Sequence, residues 1–437
     1  MNIGFIPIDN RPVCYTLPLQ IASIDENINL FMPNREWLGD LEKYADTDKI
    51  IEWLSTLPKM DAFVLSLDTI AYGGLISSRR SPATFEQIKE KIEKFKSLIK
   101  ADKIYSFSSI MRISNNNINQ EEKEYWSNYG KKIFEYSYNL DKNGTTETDI
   151  PEEILEDYLS TRERNFEINK IYLEWQKEGF FDTLVFSKDD CAEFGLNVRE
   201  AKELERLGGF VKTGADEIPL TLLARSIKKD LTVNPIFLEP DSKNLISNYE
   251  DVSIEKSVLG QLDLADIKVS NNSDIDLYIN NFKSNQGEIV MKIPTEPFDG
   301  NWETPEKPYM VADVRFANGG DNALVSQFKP FNDNFYGYSA WNTSANTLGS
   351  LICGAKIKYN AEKYNDTNFK KLQIVRLLDD WAYQANVRQQ LEKPDSEKCK
   401  ELMKPFEEKV FELVGMRADI SYSFPWNRLF EVEIELN

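Results

Sequence analysis

The chain contains no histidine among its 437 residues. That absence removes Ser-His-Asp and Cys-His nucleophile systems, the H-E-x-x-H zinc site, and any imidazole base working near neutral pH. Cysteine is scarce: Cys14, Cys191, Cys353 and Cys399 are scattered without C-x-x-C spacing, so neither a zinc site nor a disulfide framework is indicated. Positive charge is also in deficit, with 52 Lys and Arg against 72 Asp and Glu. The resulting net charge of -20 repels phosphate backbones and anionic bilayers. It argues against nucleic acid and membrane partners and favours a small-molecule or oligosaccharide substrate. No apolar run is long enough to span a bilayer. The opening Met1-Asn2-Ile3-Gly4-Phe5-Ile6-Pro7-Ile8-Asp9 reads as a strand, without the basic start of a signal peptide. A cytoplasmic protein is expected.

What is present is a recurring pattern of short apolar runs ending in polar residues: Ile3 to Asp9, Ile28 to Asn34, Ala62 to Asp68, Ile104 to Arg112, Thr183 to Asp190, Phe210 to Glu217 and Pro235 to Asp241. Helical spacing separates most of them, as in Thr84 to Ile99 and Pro151 to Gly179. Such alternation predicts an α/β fold with a mostly parallel sheet and crossover helices. Counting Asp276 to Phe282 as an eighth strand favours a TIM-like (β/α)8 barrel over an open doubly wound sheet. Residues 241 to 285 read as a junction, giving an α/β domain over 1–285 and a C-terminal α+β region over 286–437 that contributes to the same cleft. In that region Gly287 to Pro294, Tyr309 to Phe316 and Leu429 to Leu436 are expected strands; Ser344 to Ala355 and Asn368 to Val387 are expected helices.

In parallel sheets, sites gather at the C-terminal strand ends. Five predicted ends carry ionisable residues: Asp9 with Arg11, Asp68, Arg112, Asp189 with Asp190, and Asp216 with Glu217. Adjacent acids at the exit of a buried strand are poor core residues. Asp190 could instead cap the helix that follows. Tyr72 precedes a Gly73-Gly74 pair, which suits either a tight turn or close backbone approach to a ligand. Arg162 and Asn165 share one side of a helix with Asn169. That side is either solvated or lines the cleft. Further along, Asp321 follows a glycine turn after Asp313, and Trp341 with Asn342 combines an apolar ring with an amide, a pairing suited to sugars.

These motifs together resemble a bacterial family catalogued as a domain of unknown function. The shared segments are D-x-R-P at Asp9 to Pro12, S-L-D-x-x-x-Y-G-G at Ser66 to Gly74, D-D at Asp189-Asp190, G-A-D-E at Gly214 to Glu217, and W-N-T-x-x-N-T-L-G at Trp341 to Gly349. The resemblance implies one architecture over nearly the whole chain and brings no activity. Asp189-Asp190 is also similar to the acid pair of barrel hexosaminidases that use the substrate's own N-acetyl group.

With histidine missing, carboxylate pairs are the main acid-base chemistry left, and glycoside hydrolysis uses them most directly. The expectation is a glycosidase acting on a polar sugar, N-acetylated or anionic, with Asp189, Asp190, Asp216 and Glu217 as catalytic candidates. Asp9, Arg11, Asp68, Tyr72, Arg112, Arg162, Asn165, Asp321, Trp341 and Asn342 are substrate-binding candidates. No cofactor is required by this reading. Two alternatives stay open: a divalent-metal enzyme built on Asp, Glu and Asn oxygens, and a non-catalytic glycan- or metabolite-binding protein.

Overall fold

A computed structural model of the chain describes residues 1–189 and 192–437. Asp190 and Cys191, half of the expected acid pair and its neighbour, lie outside the described residues. The chain divides into two compact units, one made of residues 1–10 and 30–219, the other of residues 11–29 and 220–437. Residue 285 falls inside the second unit.

The first unit is built on β1 (Asn2–Ile6), β2 (Asn29–Phe31), β3 (Met60–Ser66), β4 (Ala101–Ile110), β5 (Thr183–Lys188) and β6 (Phe210–Thr213), in the spatial order β2-β1-β3-β4-β5-β6. From β1 to β6 every ladder is parallel, with Phe5 opposite Val64, Phe63 opposite Ile104, Phe107 opposite Val185, and Val185 opposite Phe210. Strands buried on both faces need near-continuous apolar runs. The central β3, with Ala62, Phe63, Val64 and Leu65 buried, has one. The helices between strands start where their caps predict: Thr84 closes a capping box with Gln87 at the head of Phe85–Leu98. The helical spacing from Pro151 to Gly179 is one element, Glu152–Lys177. Gly195 occupies the N-cap of Leu196–Arg206, the position for which Asp190 was an alternative.

The second unit contains β7 (Thr232–Phe237), β8 (Lys268–Val269), β9 (Ile275–Asn280), β11 (Tyr309–Asp313) and β13 (Phe335–Ser339), in the order β8-β7-β9-β11-β13 and again parallel throughout. Two small ribbons join β10 (Gly287–Glu288) with β12 (Phe316–Ala317), and β14 (Ile420–Ser423) with β15 (Glu433–Leu436). Ser344–Asn360 is the expected small-residue helix, capped by Thr343. The expected helix to Val387 is an α-helix over Asp366–Arg376 that widens into a π-helix over Leu377–Val387.

The α/β class with parallel sheets and crossover helices is therefore present, but the eight expected barrel strands divide between two sheets. Among the described residues β2 and β6 are the edges of the first sheet, with no ladder joining them, and β7 and β9 belong to the second. The expected junction holds β8, β9 and the helix Ile254–Leu264, so it is part of the second sheet's own crossover pattern. No helix of the described residues is long and apolar enough to cross a membrane.

Candidate functional site

Each sheet reverses its strand order once, between β1 and β3 in the first unit and between β7 and β9 in the second. In open α/β sheets the crevice outside the carboxyl ends of the strands, at such a reversal, is where ligands bind. In the first unit Asp9 follows β1 and Asp68 follows β3. Ser66 ends β3 and its hydroxyl accepts from Thr69 N–H, which starts the helix Leu67–Tyr72 directly and buries Asp68 in its first turn. Thr69 Oγ1 donates to Pro7 O at 2.6 Å, tying the two strand ends together. Asp68 Oδ2 accepts from Ser109 N–H at 2.8 Å, and burial pushes this carboxyl up to about 6.

The exit of β4 carries Arg112 into a charged cluster. Its Nη2 donates to Glu121 Oε2 at 2.8 Å, its Nε reaches Glu122 Oε1 at 3.3 Å, and its Nη1 lies 3.9 Å from Asp189 Oδ2. Arg79 is buried against the same acids, with Nε 3.1 Å from Glu122 Oε1 and Nη2 3.5 Å from Glu121 Oε2. Burial, then the neighbouring Arg112, lowers its guanidinium from the ordinary value. Among the described residues two cations are thus met by three carboxylates, and the five groups of this cluster offer no net positive charge to an anion. Accessibility separates its members. The Asp189 side chain is 35% exposed, Glu121 24% and Arg112 19%, whereas Asp9, Asp68, Asp216 and Glu217 are buried. Among the described residues, no group of three or more acidic or cysteine side chains is placed to hold a metal ion.

Several of the expected ligand-binding residues also make internal bonds. Arg162 pairs with Glu200, its Nε 2.6 Å from Oε1, and donates to Tyr158 Oη and Met111 O. Asn165 donates to Ser78 O and accepts from Arg164. Asn169 joins Ser108 and Ser109. This helix face is buried, and its bonds fasten Glu152–Lys177 to β4 and a neighbouring loop. Gly73 takes φ 90°, and a Cβ there would lie 2.9 Å from Ala45 N, so the glycine pair makes a tight turn. Tyr72 is buried beneath the Arg164 guanidinium. Glu217 Oε2 accepts from Ala215 N–H at 3.1 Å, folding the carboxylate onto its own turn.

A family model described as "Protein of unknown function (DUF4127)" matches residues 3–435. The chain belongs to the DUF4127 family. No curated protein and no solved structure matched it.

In the second unit of this DUF4127 chain Asp313 and Asp321 belong to a buried hydrogen-bond network. Asp313, at the end of β11, accepts from Asn280 Nδ2 at 2.8 Å, Asp321 N–H at 2.7 Å and Tyr338 Oη at 3.0 Å. Burial and the charge of Asp321 hold its carboxyl well above the usual range. Asp321 caps Asn322–Val325 and accepts from Phe298 N–H. Arg315 is fully buried, bonding Asn280 Oδ1, Glu296 O and Glu239 Oε1. Arg11 lies over the Trp426 ring, 5.2 Å from its centroid, with Nη2 3.8 Å from Cys14 Sγ. Trp341 is buried edge-on to Phe430, and Asn342, at φ 59°, accepts from Asn318 N–H through its carbonyl.

Arg79, Glu121, Glu122, Asp313 and Asp380 were not among the expected site residues. Arg79 lies five residues past the quoted Ser66 to Gly74 motif, but spacing does not show that it turns toward Arg112. Glu121 and Glu122 read as ordinary loop charge. Asp380 lies inside an apolar helical pattern, where an adjacent acid pair was itself the available signal.

Proposed function

We propose that the first unit hydrolyses glycosidic bonds of a neutral, polyhydroxylated substrate at the carboxyl edge of its sheet. The observation that carries this reading is Asp189, an accessible acid at an edge where Asp9, Asp68, Asp216 and Glu217 are buried, set 3.9 Å from Arg112. In the proposed roles, Asp190 protonates the leaving oxygen and Asp189, as a carboxylate, stabilises the positive charge of the oxocarbenium-like transition state. Arg112 holds Asp189 in place, and with Glu121 and Glu122 on the same guanidinium it presents no free charge to an anionic sugar. Neutral and N-acetylated glycosides are the preferred class over uronic ones.

The test is a panel of chromogenic glycosides, neutral, N-acetylated and uronic, assayed with the full chain and its variants. Asp190→Asn should lower kcat by about a hundredfold or more on a substrate with a poor leaving group, with an unchanged circular dichroism spectrum. Asp189→Asn should lower it as well. Saturable sugar binding without turnover would transfer the site to a binding role. Activity lost to chelation and restored by Mg²⁺ or Mn²⁺ would replace the two-carboxylate mechanism with a metal-assisted one.

A further inference from the structure

Beneath the edge of the first sheet, three buried side chains each carry an oxygen with no hydrogen-bond partner among the described residues: Asp68 Oδ1, Tyr72 Oη and Tyr172 Oη. Two helices that both bond β4 carry them. Asp68 and Tyr72 stand four apart on Leu67–Tyr72 and so share a face. Tyr172 follows Asn165 and Asn169 at spacings of seven and three, on the side of Glu152–Lys177 that bonds β4. Both helices grip the same residue of that strand, Asp68 accepting from Ser109 N–H and Asn169 donating to Ser109 O.

The three groups also feel one another's charge. After burial, the charge of Asp68 raises the Tyr72 hydroxyl, and the charges of Tyr72 and Asp68 raise that of Tyr172. Ser106 Oγ, two residues before Ser108 on the same face of β4, is also buried without a partner.

A buried polar atom left unbonded is costly, and several in one place are usually served by one shared group. A cation would use only oxygen lone pairs and leave both phenolic protons unaccepted. Water can accept from both phenols and donate to the carboxylate, within the two to four bonds a buried water makes.

We propose that Asp68 Oδ1, Tyr72 Oη and Tyr172 Oη together hold one buried water molecule. It fixes the second oxygen of Asp68 as Ser109 fixes the first, and so braces the stretch of β4 that leads to Arg112. The site does not depend on the glycosidase reading, and its test needs no substrate.

The experiment uses the full chain with Tyr72→Phe, Tyr172→Phe and both together, unfolded in urea. Phenylalanine keeps the ring packing and removes only the hydroxyl. Each single variant should lower the folding constant about tenfold, and the double should cost less than the product of the two, because the second hydroxyl has already lost the shared water. Neutral or stabilising single variants with additive effects would show dry, dispensable hydroxyls and overturn the proposal. Repeating the wild-type measurement in KCl, NaCl and choline chloride at equal ionic strength supplies a second check. Equal midpoints agree with water, whereas stabilisation specific to K⁺ or Na⁺ would make the occupant a cation and overturn the proposal equally.

Discussion

At the scale of single residues, Gly214 shows what an acid pair in a sequence can conceal. Asp216-Glu217 had nearly the same credentials as Asp189-Asp190, since both pairs close a predicted strand. The structure turns Glu217 back so that its Oε1 lies 1.8 Å from where a Cβ on Gly214 would stand, at φ 121°. Glycine is thus needed twice, for the left-handed backbone and for room beside the carboxylate. Gly214→Ala should cost about 1–3 kcal/mol from strain alone, read as a lower urea midpoint. Gly179 also has positive φ, 80°, but open space around it, so Gly179→Ala should cost less and serves as the control. Residue types and positions were legible here. The backward fold of one side chain was not, because neither spacing nor composition encodes which partner a carboxylate chooses. Trp341 and Asn342 illustrate the same limit: spacing shows neither the ring's contact with Phe430 nor the left-handed backbone of the amide residue.

At the scale of elements, the strands were the most legible feature, because burial on both faces demands runs such as Ala62 to Leu65. Helix starts were legible from their caps, Thr84 and Thr343 among them. The π-helix Leu377–Val387 was not, since its apolar pattern continues that of Asp366–Arg376. Its carboxylates make tertiary bonds that no local pattern carries. Asp380 Oδ2 accepts from Ala340 N–H at 2.7 Å and Ser339 Oγ at 3.1 Å, its carbonyl accepts from Gly320 N–H, and Oδ1 lies 3.2 Å from Arg376 Nη2. Wide turns of this kind gather at functional or strained positions. Removing the carboxylate leaves a buried guanidinium short of one counter-ion and the end of β13 short of an acceptor. Asp380→Ala should therefore cost about 3–5 kcal/mol, with faster hydrogen exchange at Ala340. Asp380→Asn, which keeps an acceptor for that amide, should lose less.

At the scale of the whole chain, both units repeat one strand order, so strand-helix alternation runs on past the end of the first sheet. A pattern of alternation shows how strands are connected but not where a sheet stops, which is why a single barrel was expected. The units share a second property that concerns stability. Each buries carboxyls that resist ionisation: Asp68 is raised to about 6 and Glu250 to about 7, while Asp313 and Asp380 are held well above the ordinary range, burial being the first cause throughout. Unfolded, these groups ionise near 3.8 or 4.5. Between those values and about 6 to 7 the folded chain binds more protons than the unfolded one, so stability must fall as pH rises through that window and level off above it. Asp68 and Glu250 each contribute on the order of 3 kcal/mol to this fall. Relief of the net charge of -20 on acidification acts in the same direction. Carboxylates lowered by surface partners, such as Asp274 beside Thr232, oppose it only nearer their own values. The melting temperature should therefore decline from pH 5 to pH 7.5. Asp68→Asn and Glu250→Gln, which cannot ionise, should each flatten that slope, and a midpoint that instead climbs over this interval would show these carboxyls to be paired and charged.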